Sequence, residues 1–420
     1  MGRTIIIGLD GVPFEQVSRL TKQGVMPHLK EIIDGGTFGR MYSSLPDNSA
    51  VSWSSMITGA NPGQHGIYGF TELLPGTYNL SYPNFNKLKV QPFWLKHPHK
   101  RYVILNVPFT YPVKPLNGVH VSGFISLDMA RAVYPSEFNR VVSGLEYQID
   151  VDTTVYHRSQ ELFMKQIKQV LRKRMELVIK TWKTRWDVFM AVFTGTDRIN
   201  HMMWDAYENK TNGCHQDFLD YYTQLDTILG WIYQNKKPED QMILLSDHGM
   251  EQIDLNVHVN RILESYGFLK ADGRRGRYTD IEKGTKAFCL EPSRIYVNRD
   301  KQYPNGSVDL RDVNKVTNDL FDMFSQLTYK DRPVIKQIFR RDDVFHGPCL
   351  NSAPDLVLIP HKGFNLRGGM MPSSSFSTVD WVQGHHTWDN AFLITRDMDY
   401  PLVNHPSIDQ ILELFHGRLT

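Results

Sequence analysis

Short runs of apolar residues, many of them β-branched, recur along the chain and are separated by longer segments with helical spacing. The runs have the length and composition of buried strands; they are TIIIGLD, RYVILNVP, WDVFMAVFTG, QMILLSDHGM, PDLVLIP and NAFLITR. Apolar residues at helical spacing occupy residues 158–182 and 216–234 between them. Strands that alternate with helices predict an α/β fold: a doubly wound, mostly parallel central sheet with helices on both faces.

Two segments, about 72–160 and about 265–350, follow this alternation less regularly. The sequence shows no internal repeat and no low-complexity tract that would mark a linker. We therefore expect residues 1–420 to form a single catalytic domain, with a smaller cap or insertion region supplied by these two segments.

Three of the predicted strands end in an acid followed by a turn, in GLDG, TGTD and LSDHG. In a doubly wound sheet, chemistry collects beyond the carboxyl ends of the strands. We therefore expect Asp10, Asp197 and Asp247 to converge at one edge of the sheet.

Histidines accompany these acids. His201 follows Asp197 by four residues, His248 is next to Asp247, and QGHHTWDN adds His385 and His386. Any one of them, taken alone, is more often a hydrogen-bonded loop residue than a ligand. As a set, several acids on neighbouring loops would repel one another without a cation. Carboxylate oxygens and imidazole nitrogens suit Zn²⁺, and also Mn²⁺ or iron, so the set predicts a metal site.

A serine-rich segment, SAVSWSSMITGANPGQHGI, begins at Ser49. Val51, Met56 and Ile57 have helical spacing and Gly59 stops the helix, which predicts Ser49 as its N-cap. Capping alone accounts for a serine at this position. A helix N-terminus is also an anion site, where a serine oxygen beside a divalent cation can attack phosphorus.

Composition narrows the range of partners and locations. The net charge of +2 does not favour a nucleic-acid polymer as partner. Cys214, Cys289 and Cys349 lie far apart without metal or redox spacing, which favours a reduced compartment. The N-terminal apolar run is too short for a signal peptide or a membrane span. We expect a cytoplasmic protein, either a monomer or a homodimer.

Together these motifs resemble the alkaline phosphatase superfamily and, within it, the type I phosphodiesterase/nucleotide pyrophosphatase family. GLDG, the serine-rich segment, TDRINHMMW, SDHGM and GHHTWDN occur in the family's order. ILNVPFTYPVKPLNGVHVSGF and VHVNRILESYGFL also resemble family segments, so the resemblance extends from residue 4 to about 395. It is weak over 72–98 and 265–350.

The resemblance implies two divalent metal ions, usually zinc. The ligands that it implies are Asp10, Asp247 and His248 for one ion, and Asp197, His201 and His386 for the other. His386 is preferred to His385 because Gly384-His385-His386 fits the family's G-x-H frame.

Ser49 is the nucleophile that the resemblance implies, and it would also contact a metal. Many family phosphodiesterases have threonine here, whereas serine resembles the monoesterase branch. The family often places an asparagine three residues later to hold a phosphoryl oxygen; here that residue is Ser52. Asn48 is the candidate to replace it.

The implied function is a metal-dependent phosphohydrolase that cleaves phosphodiester or pyrophosphate bonds of small phosphoesters through a phosphoseryl intermediate. One alternative is a phosphomonoesterase or phosphonate hydrolase with the same two-metal mechanism. The diester is preferred because no arginine can be assigned to a third phosphoryl oxygen. A second alternative is an inactive, metal-stabilised binding protein.

Aromatic residues are candidates to stack on the substrate: Phe109 and Tyr111 first, then Phe70, Phe85, Phe93 and Trp94.

Overall fold

The fold is organised around an eight-stranded sheet, seen in a computed structural model that describes residues 2–272, 276–398 and 405–415. Numbered along the chain, its strands are β1 Thr4–Leu9, β2 Gly36–Met41, β3 Tyr102–Val107, β4 Gly118–Ser122, β5 Val133–Tyr134, β6 Val188–Phe193, β7 Gln241–Leu245 and β8 Ala391–Arg396. They lie in the order β2-β8-β7-β1-β6-β3-β4-β5. The run from β7 to β4 pairs in parallel, whereas β8 is antiparallel to both its neighbours and β5 to β4. The predicted mostly parallel sheet is confirmed.

Helices cover both faces of this sheet, also as predicted. Side chains of β1 alternate between the faces because successive strand residues point in opposite directions, so Ile5 enters one apolar core and Ile6 the other. The first core includes residues of the two long helices, Gln160–Trp182 and His215–Asn235. The second core packs against the helix Ser49–Thr58 through Trp53, Met56 and Ile57.

The shorter helices complete these layers and connect the strands. The other α-helices are Phe14–Lys22, Pro27–Asp34, Pro62–His65, Phe93–Lys96, Met129–Ala132, Asn139–Gly144, Gly195–Met202, Trp204–Glu208, Val259–Ser265, Val313–Ser325 and Arg341–Val344. The 3-10 helices are Phe85–Lys87, Ser136–Phe138, Thr153–His157, Tyr278–Asp280, Leu310–Asp312, Leu350–Ser352 and Ile408–Phe415. Within the described residues, no helix combines the length and apolarity that crossing a membrane requires.

A third apolar core, smaller than the first and called the smaller core below, is built from side chains between residues 257 and 366, with Tyr78 added from an earlier loop. It surrounds an antiparallel sheet whose strands, in spatial order, are Ala287–Leu290, Arg294–Val297, Leu356–Pro360 and Ile335–Arg340. The run PDLVLIP is therefore a strand, as its pattern indicates, but it pairs here and not in the central sheet. Length and apolarity identify a buried strand without specifying its neighbours.

Small ladders account for the remaining strands. They are Gly249–Gln252 with Gly384–Thr387, Leu255–His258 with Phe364–Arg367 and Phe376–Ser377, Thr328–Tyr329 with Arg332–Pro333, and Glu72–Leu73 with Leu80–Ser81. β3, β4 and β5 fall inside segment 72–160 and belong to the central sheet, whereas segment 265–350 supplies much of the smaller core. The division into one domain with two insertions stays a prediction.

A buried histidine on β4 gives the fold a sensitivity to acid. The His120 side chain is fully buried against Phe85 and Trp94, and neither ring nitrogen has a hydrogen-bond partner among the described residues. Burial lowers the pKa of His120 from 6.5 to about 3, so the unfolded chain binds the extra proton first as pH falls. Its contribution to stability is present above about pH 6.5 and is lost below it.

We expect His120→Phe, which keeps a ring in this pocket, to reduce this loss. Between pH 7.5 and 5.5 the free energy of unfolding of the native protein should fall by about 1.4 kcal/mol more than that of the variant. Urea unfolding of EDTA-treated protein at the two pH values measures the difference. An equal decrease in the free energy of unfolding of both proteins would show that His120 does not cause the sensitivity to acid.

Candidate active site

Three neighbouring strands bring the predicted acids to one edge of the central sheet. Asp10 follows β1 directly, Asp247 comes two residues after β7, and Asp197 lies in the first turn of the helix Gly195–Met202 after β6. Because β7, β1 and β6 are adjacent and parallel, their carboxyl ends share an edge. All three carboxylates are buried, and they converge as the sequence predicts.

Two histidines and one acid form the first candidate metal group. Asp197 Oδ1 lies 3.2 Å from His201 Nε2 and 3.4 Å from His386 Nε2, and the two Nε2 atoms are 2.9 Å apart. His201 donates its Nδ1–H to Gly384 O at 2.6 Å, and His386 donates to Asp47 O at 2.8 Å. Carbonyl oxygens only accept, so in neutral imidazoles the unprotonated Nε2 atoms face each other. This arrangement suits a cation between them and the carboxylate.

The second candidate group combines Asp10, Asp197 and His248, whose ligand atoms lie within 4.8 Å of one another. His248 donates its Nδ1–H to Gly249 O at 3.0 Å, which again leaves Nε2 free. That Nε2 atom is 3.3 Å from Asp247 Oδ2 and 3.8 Å from Asp10 Oδ1. Asp197 therefore belongs to both groups, and Asp247 stands beside the second.

A short antiparallel ladder joins the two groups. The strand Gly249–Gln252 begins immediately after His248, and it pairs with Gly384–Thr387, which carries His386. The two imidazoles stack with their centroids 3.5 Å apart. Residues separated by more than a hundred positions in sequence are thus held against each other by backbone hydrogen bonds.

Charge in the site is uneven in the absence of a cation. Burial, reinforced by Asp247 and Asp197, raises the pKa of Asp10 well above its usual value, and burial raises that of Asp247 to about 7. Burial would also raise the pKa of Asp197, but His201, His386 and Arg198 outweigh it and hold the pKa well below its usual range. Asp10 and Asp247 therefore favour their protonated forms unless a cation stabilises the charge of their carboxylates.

Unpartnered atoms show that the residues present fit divalent cations. Asp197 Oδ1 and Asp247 Oδ2 are buried and accept no hydrogen bond from any described residue. Buried carboxylate oxygens without partners are costly, and a cation is the ligand that satisfies them. Aspartate oxygens together with imidazole Nε2 atoms are the donors that Zn²⁺ takes, and that Mn²⁺ and iron accept.

Ser49 contacts the second group. Its Oγ donates to Asp10 Oδ1 at 3.2 Å and is 3.2 Å from His248 Nε2. The helix starts at Ser49, and Asn48 is its N-cap, whose Oδ1 accepts from Val51 N at 3.3 Å. The expectation that Ser49 is the N-cap is therefore wrong by one residue. Ser49 occupies the first helical position, where backbone N–H groups have no acceptor within the helix.

A tryptophan from the same helix fixes Asp10. Trp53 donates its Nε1–H to Asp10 Oδ2 at 2.9 Å, so both oxygens of this carboxylate have a partner from the helix Ser49–Thr58. A Cβ at Gly8 would come within 2.3 Å of the Trp53 ring, so only glycine on β1 allows this approach.

Arg198, which sequence reasoning did not assign, borders the same site. It donates from Nη1 to Asp197 Oδ2 at 2.8 Å, and from Nε and Nη2 to Asp150 Oδ2 at 3.0 and 2.8 Å. Its Cζ lies 4.4 Å from the centroid of the Phe124 ring. A signal was available, because Arg198 directly follows the predicted ligand Asp197 at the start of a helix.

Two cavities open at these residues. The smaller, about 100 Å³, is lined by Asp10, Ser49, Phe70, Pro108, Phe124, Thr194, Asp197, Arg198, His201 and His386. The larger, about 480 Å³, shares Phe70, His201 and His386 with it and extends to the smaller core, where Tyr278, Glu291 and Arg367 form part of its wall. The arrangement provides a small reaction chamber beside a roomy, partly apolar pocket.

Comparison with known proteins now connects this geometry to a family. The sequence profile of type I phosphodiesterase / nucleotide pyrophosphatase matches residues 4–389. The chain belongs to this family. A comparison with curated proteins finds no significant match. The type I phosphodiesterase assignment makes the chain a hydrolase acting on phosphoester bonds, in a metal-dependent family, with two groups of residues that could bind metal.

Solved structures similar to this family member share its fold at low sequence identity. Phosphonoacetate hydrolase from Sinorhizobium meliloti 1021, in complex with phosphonoformate, has a TM-score of 0.68 and 14% identity, covering 100% of this chain and 95% of that one. Murine ectonucleotide pyrophosphatase / phosphodiesterase 5, an inactive form in complex with AMP, has a TM-score of 0.57 and 11% identity, covering 100% and 95%. The human protein of that name has a TM-score of 0.56 and 10% identity, covering 99% and 94%.

The predicted substrate contacts of this phosphodiesterase-family chain lie at different places. Asn48 lines the larger cavity and its buried Nδ2 has no partner among the described residues, so it can donate to a substrate. Ser52 is fully buried and its Oγ is 2.9 Å from Ser43 Oγ and 2.8 Å from Ser44 Oγ, within the packing behind Ser49. This hydroxyl is occupied by its neighbours and not directed at the cavity.

The predicted aromatic contacts divide in the same way. Phe70 lines both cavities. Phe109 is buried against the start of the helix Ser49–Thr58, and Tyr111 is buried with its ring centroid 5.6 Å from Arg131 Cζ. The remaining three aromatic residues, Phe85, Phe93 and Trp94, are core residues on one face of the central sheet. The family motif located these segments without showing which side chain faces the substrate.

Gly11 allows the acids to approach one another, and its replacement tests the site. Its φ is +65°, and a Cβ here would lie 2.8 Å from Asp197 Oδ1. We expect Gly11→Ala to lower the free energy of unfolding by about 1–3 kcal/mol and to reduce bound metal. Gly76→Ala is the matched control, since Gly76 has a φ of +71° with open space around its Cβ. Metal content and thermal unfolding of both variants measure the effect, and equal metal content would contradict it.

Proposed function

We propose that this chain is a metal-dependent phosphohydrolase that cleaves phosphodiester or pyrophosphate bonds of small phosphoesters, with Ser49 as nucleophile. The observation that carries the proposal is the position of Ser49 Oγ, 3.2 Å from both Asp10 Oδ1 and His248 Nε2 and bordering the smaller cavity. A serine oxygen needs activation to attack phosphorus, and this position beside the candidate metal groups provides it.

Two divalent ions, zinc by preference, are proposed to be held by the residues that the family motif implies. The proposed ligands of one ion are Asp10, Asp247, His248 and Ser49, and those of the other are Asp197, His201 and His386. When bound, such ions lower the pKa of a coordinated hydroxyl or water and neutralise charge on phosphoryl oxygens.

The chain's own residues then account for two displacements. Ser49 Oγ releases its proton to solvent and attacks phosphorus in line; the Oγ–P bond forms, and the bond from phosphorus to the leaving oxygen breaks with its electron pair. The leaving oxygen takes up a proton from solvent. In the second step water attacks phosphorus, the Oγ–P bond breaks, and a proton from that water returns to Ser49 Oγ and regenerates the serine. Asn48 Nδ2, an unpartnered donor of a residue that lines the larger cavity, and the first-turn N–H groups of the helix are the proposed donors to the phosphoryl oxygens during both steps.

The larger cavity is the proposed pocket for the leaving group. Its volume of about 480 Å³ suits a group the size of a nucleoside or a comparable organic alcohol, and Phe70 sits where the two cavities meet. A phosphomonoesterase or phosphonate hydrolase is the second candidate function, and Arg198 favours it, because a cationic fork borders the reaction chamber.

Side-by-side hydrolysis of bis-p-nitrophenyl phosphate and p-nitrophenyl phosphate, with bound metal quantified, tests the proposal. We expect turnover that is lost on chelation and restored by Zn²⁺ or Mn²⁺. Faster turnover of the monoester would move the substrate class to the second candidate. Failure to bind metal after Zn²⁺ or Mn²⁺ is supplied would refute the mechanism. A cytoplasmic location and the choice between monomer and homodimer stay predictions.

A further inference from the structure

We propose that Arg198 contacts a non-bridging oxygen of the transferred group and favours substrates whose phosphoryl or phosphonyl group carries two ionisable oxygens. This inference rests on the metal-dependent, Ser49-based mechanism of the proposed function, and it favours the second candidate substrate class, monoesters and phosphonates, over diesters. It concerns a residue that lies within the motif TDRINHMMW but belongs neither to the predicted ligands nor to the predicted substrate contacts.

Arg198 lies at the wall of the smaller cavity, close to Ser49. It lines the 100 Å³ cavity together with Ser49 and Asp10, and it is one residue from Asp197 on the same helix. Arg198 Nη1 is 2.8 Å from Asp197 Oδ2, and Asp197 shares a ligand group with Asp10, which accepts from Ser49. The guanidinium therefore stands at the wall of the chamber in which Ser49 would attack.

The guanidinium is held rigidly. Asp150 Oδ2 accepts from both Nε and Nη2, and the Phe124 ring lies 4.4 Å from Cζ. Asp150 and Arg198 side chains are only 14% and 17% exposed, so solvent competes little with these contacts. A charge fixed in advance stabilises a developing anion without reorganising, which is the arrangement that transition-state binding requires.

The Arg198 guanidinium keeps two N–H groups that its protein partners do not use. A guanidinium has five N–H groups, and Arg198 uses three of them, two toward Asp150 and one toward Asp197. One N–H on each terminal nitrogen has no acceptor in the described part of the chain. Because Arg198 lines the smaller cavity, that cavity is the space in which an acceptor can meet these two donors.

Holding Asp197 ionised would require only one of these contacts. The Asp150 anchor, the Phe124 ring and the two free donors are explained if the fork also receives an anion. A monoester or phosphonate presents one more non-bridging oxygen than a diester, in which that oxygen carries the second organic group. A rigid guanidinium at this wall of the smaller cavity therefore stabilises a dianionic phosphoryl or phosphonyl group more than it stabilises a diester.

The experiment measures kcat/KM for p-nitrophenyl phosphate and bis-p-nitrophenyl phosphate in metal-loaded native protein, Arg198→Met, Arg198→Lys and Asp150→Asn. We expect Arg198→Met to lower the monoester value about 100-fold and the diester value less than about 10-fold, with metal content kept. Arg198→Lys should recover part of the monoester rate because it keeps the charge without the fork. Asp150→Asn should lower the ratio of the monoester kcat/KM to the diester kcat/KM by a smaller factor than Arg198→Met does, because it loosens the guanidinium.

Arg19→Met is the matched control. Arg19 also pairs with a carboxylate, Glu208 at 2.8 Å, and lies 4.5 Å from the Tyr207 ring centroid, but it lines neither cavity of the site. Its replacement should leave the ratio of the two rates unchanged. Calorimetry with inorganic phosphate adds a second readout, for which we expect the dissociation constant of Arg198→Met to rise about tenfold or more.

Three results would overturn the inference: equal losses for both substrates, unchanged rates for both, or loss of bound metal in Arg198→Met and Arg198→Lys alike. The last would assign Arg198 to holding Asp197 alone. Each is distinguishable from failure of the proposed function, because native protein that hydrolyses either substrate in a metal-dependent way retains that function whatever Arg198 does.

Discussion

Ser49→Ala is expected to lower kcat/KM by about 10⁴-fold or more for the preferred phosphoester, because removal of a nucleophile leaves only binding and charge stabilisation. The change deletes one oxygen at the first position of the helix and leaves Asn48 as its N-cap. The helix, the metal groups and the cavities should therefore persist. Initial rates at saturating metal, together with metal content and thermal unfolding, separate lost chemistry from lost structure.

Ser54→Ala is the control for that replacement. Ser54 lies in the same helix, is buried, and donates its Oγ–H to Ala50 O at 2.6 Å, remote from the acids. We expect it to change the free energy of unfolding by about 1 kcal/mol and to leave kcat/KM within about threefold. Comparable loss in both variants would assign the effect to helix packing, and full activity of Ser49→Ala would remove Ser49 from the mechanism.

Asp197→Asn is expected to have the second-largest effect, because Asp197 is the one residue common to both candidate metal groups. Asparagine keeps the shape but removes the charge that Asp197 carries with a pKa well below its usual range. Both ions should bind more weakly, by about 10- to 100-fold or more, and activity at limiting metal should be lost. Competition with a chromophoric chelator measures the two affinities.

Asp226→Asn supplies the matched control for a buried carboxylate. Asp226 accepts from the backbone N–H groups of His28 and Leu29 at 3.0 and 2.8 Å, where the helix His215–Asn235 meets the helix Pro27–Asp34, and it lines neither cavity of the site. This replacement should lower stability and keep the metal content. An Asp197→Asn protein that binds two ions with native affinity would contradict the shared role of Asp197.

Much of this site was predictable because short-range rules place its parts. A β-branched run followed by an acid and a glycine specifies the end of a buried strand, and parallel strands bring their ends together. Asp10, Asp197 and Asp247 therefore converge as expected. The helix Ser49–Thr58 was also predictable, but its first residue was not: Asn48 and Ser49 are both good N-cap residues, and the chain geometry selects Asn48.

The walls of the site could not be predicted from local rules. The smaller core supplies Tyr278 and Leu366 to the larger cavity, and their positions depend on pairing between distant strands. Phe109 and Phe70 belong to similar motif segments, yet only Phe70 reaches the cavities, since packing of the whole domain decides which ring faces inward. Arg198 was missed because its partner Asp150 lies in a segment without regular pattern.

The position of β8 has a consequence for how the protein is made. β8 inserts between β2 and β7, although it is the last strand of the sheet in the chain, and the residues just before it carry His386. During synthesis β2 therefore has no neighbour in the sheet until residues 391–396 have left the ribosome. If His386 binds metal as proposed, metal binding also waits until this part of the chain has emerged, and we expect no hydrolysis by the proposed route from a nascent chain that ends before residue 396.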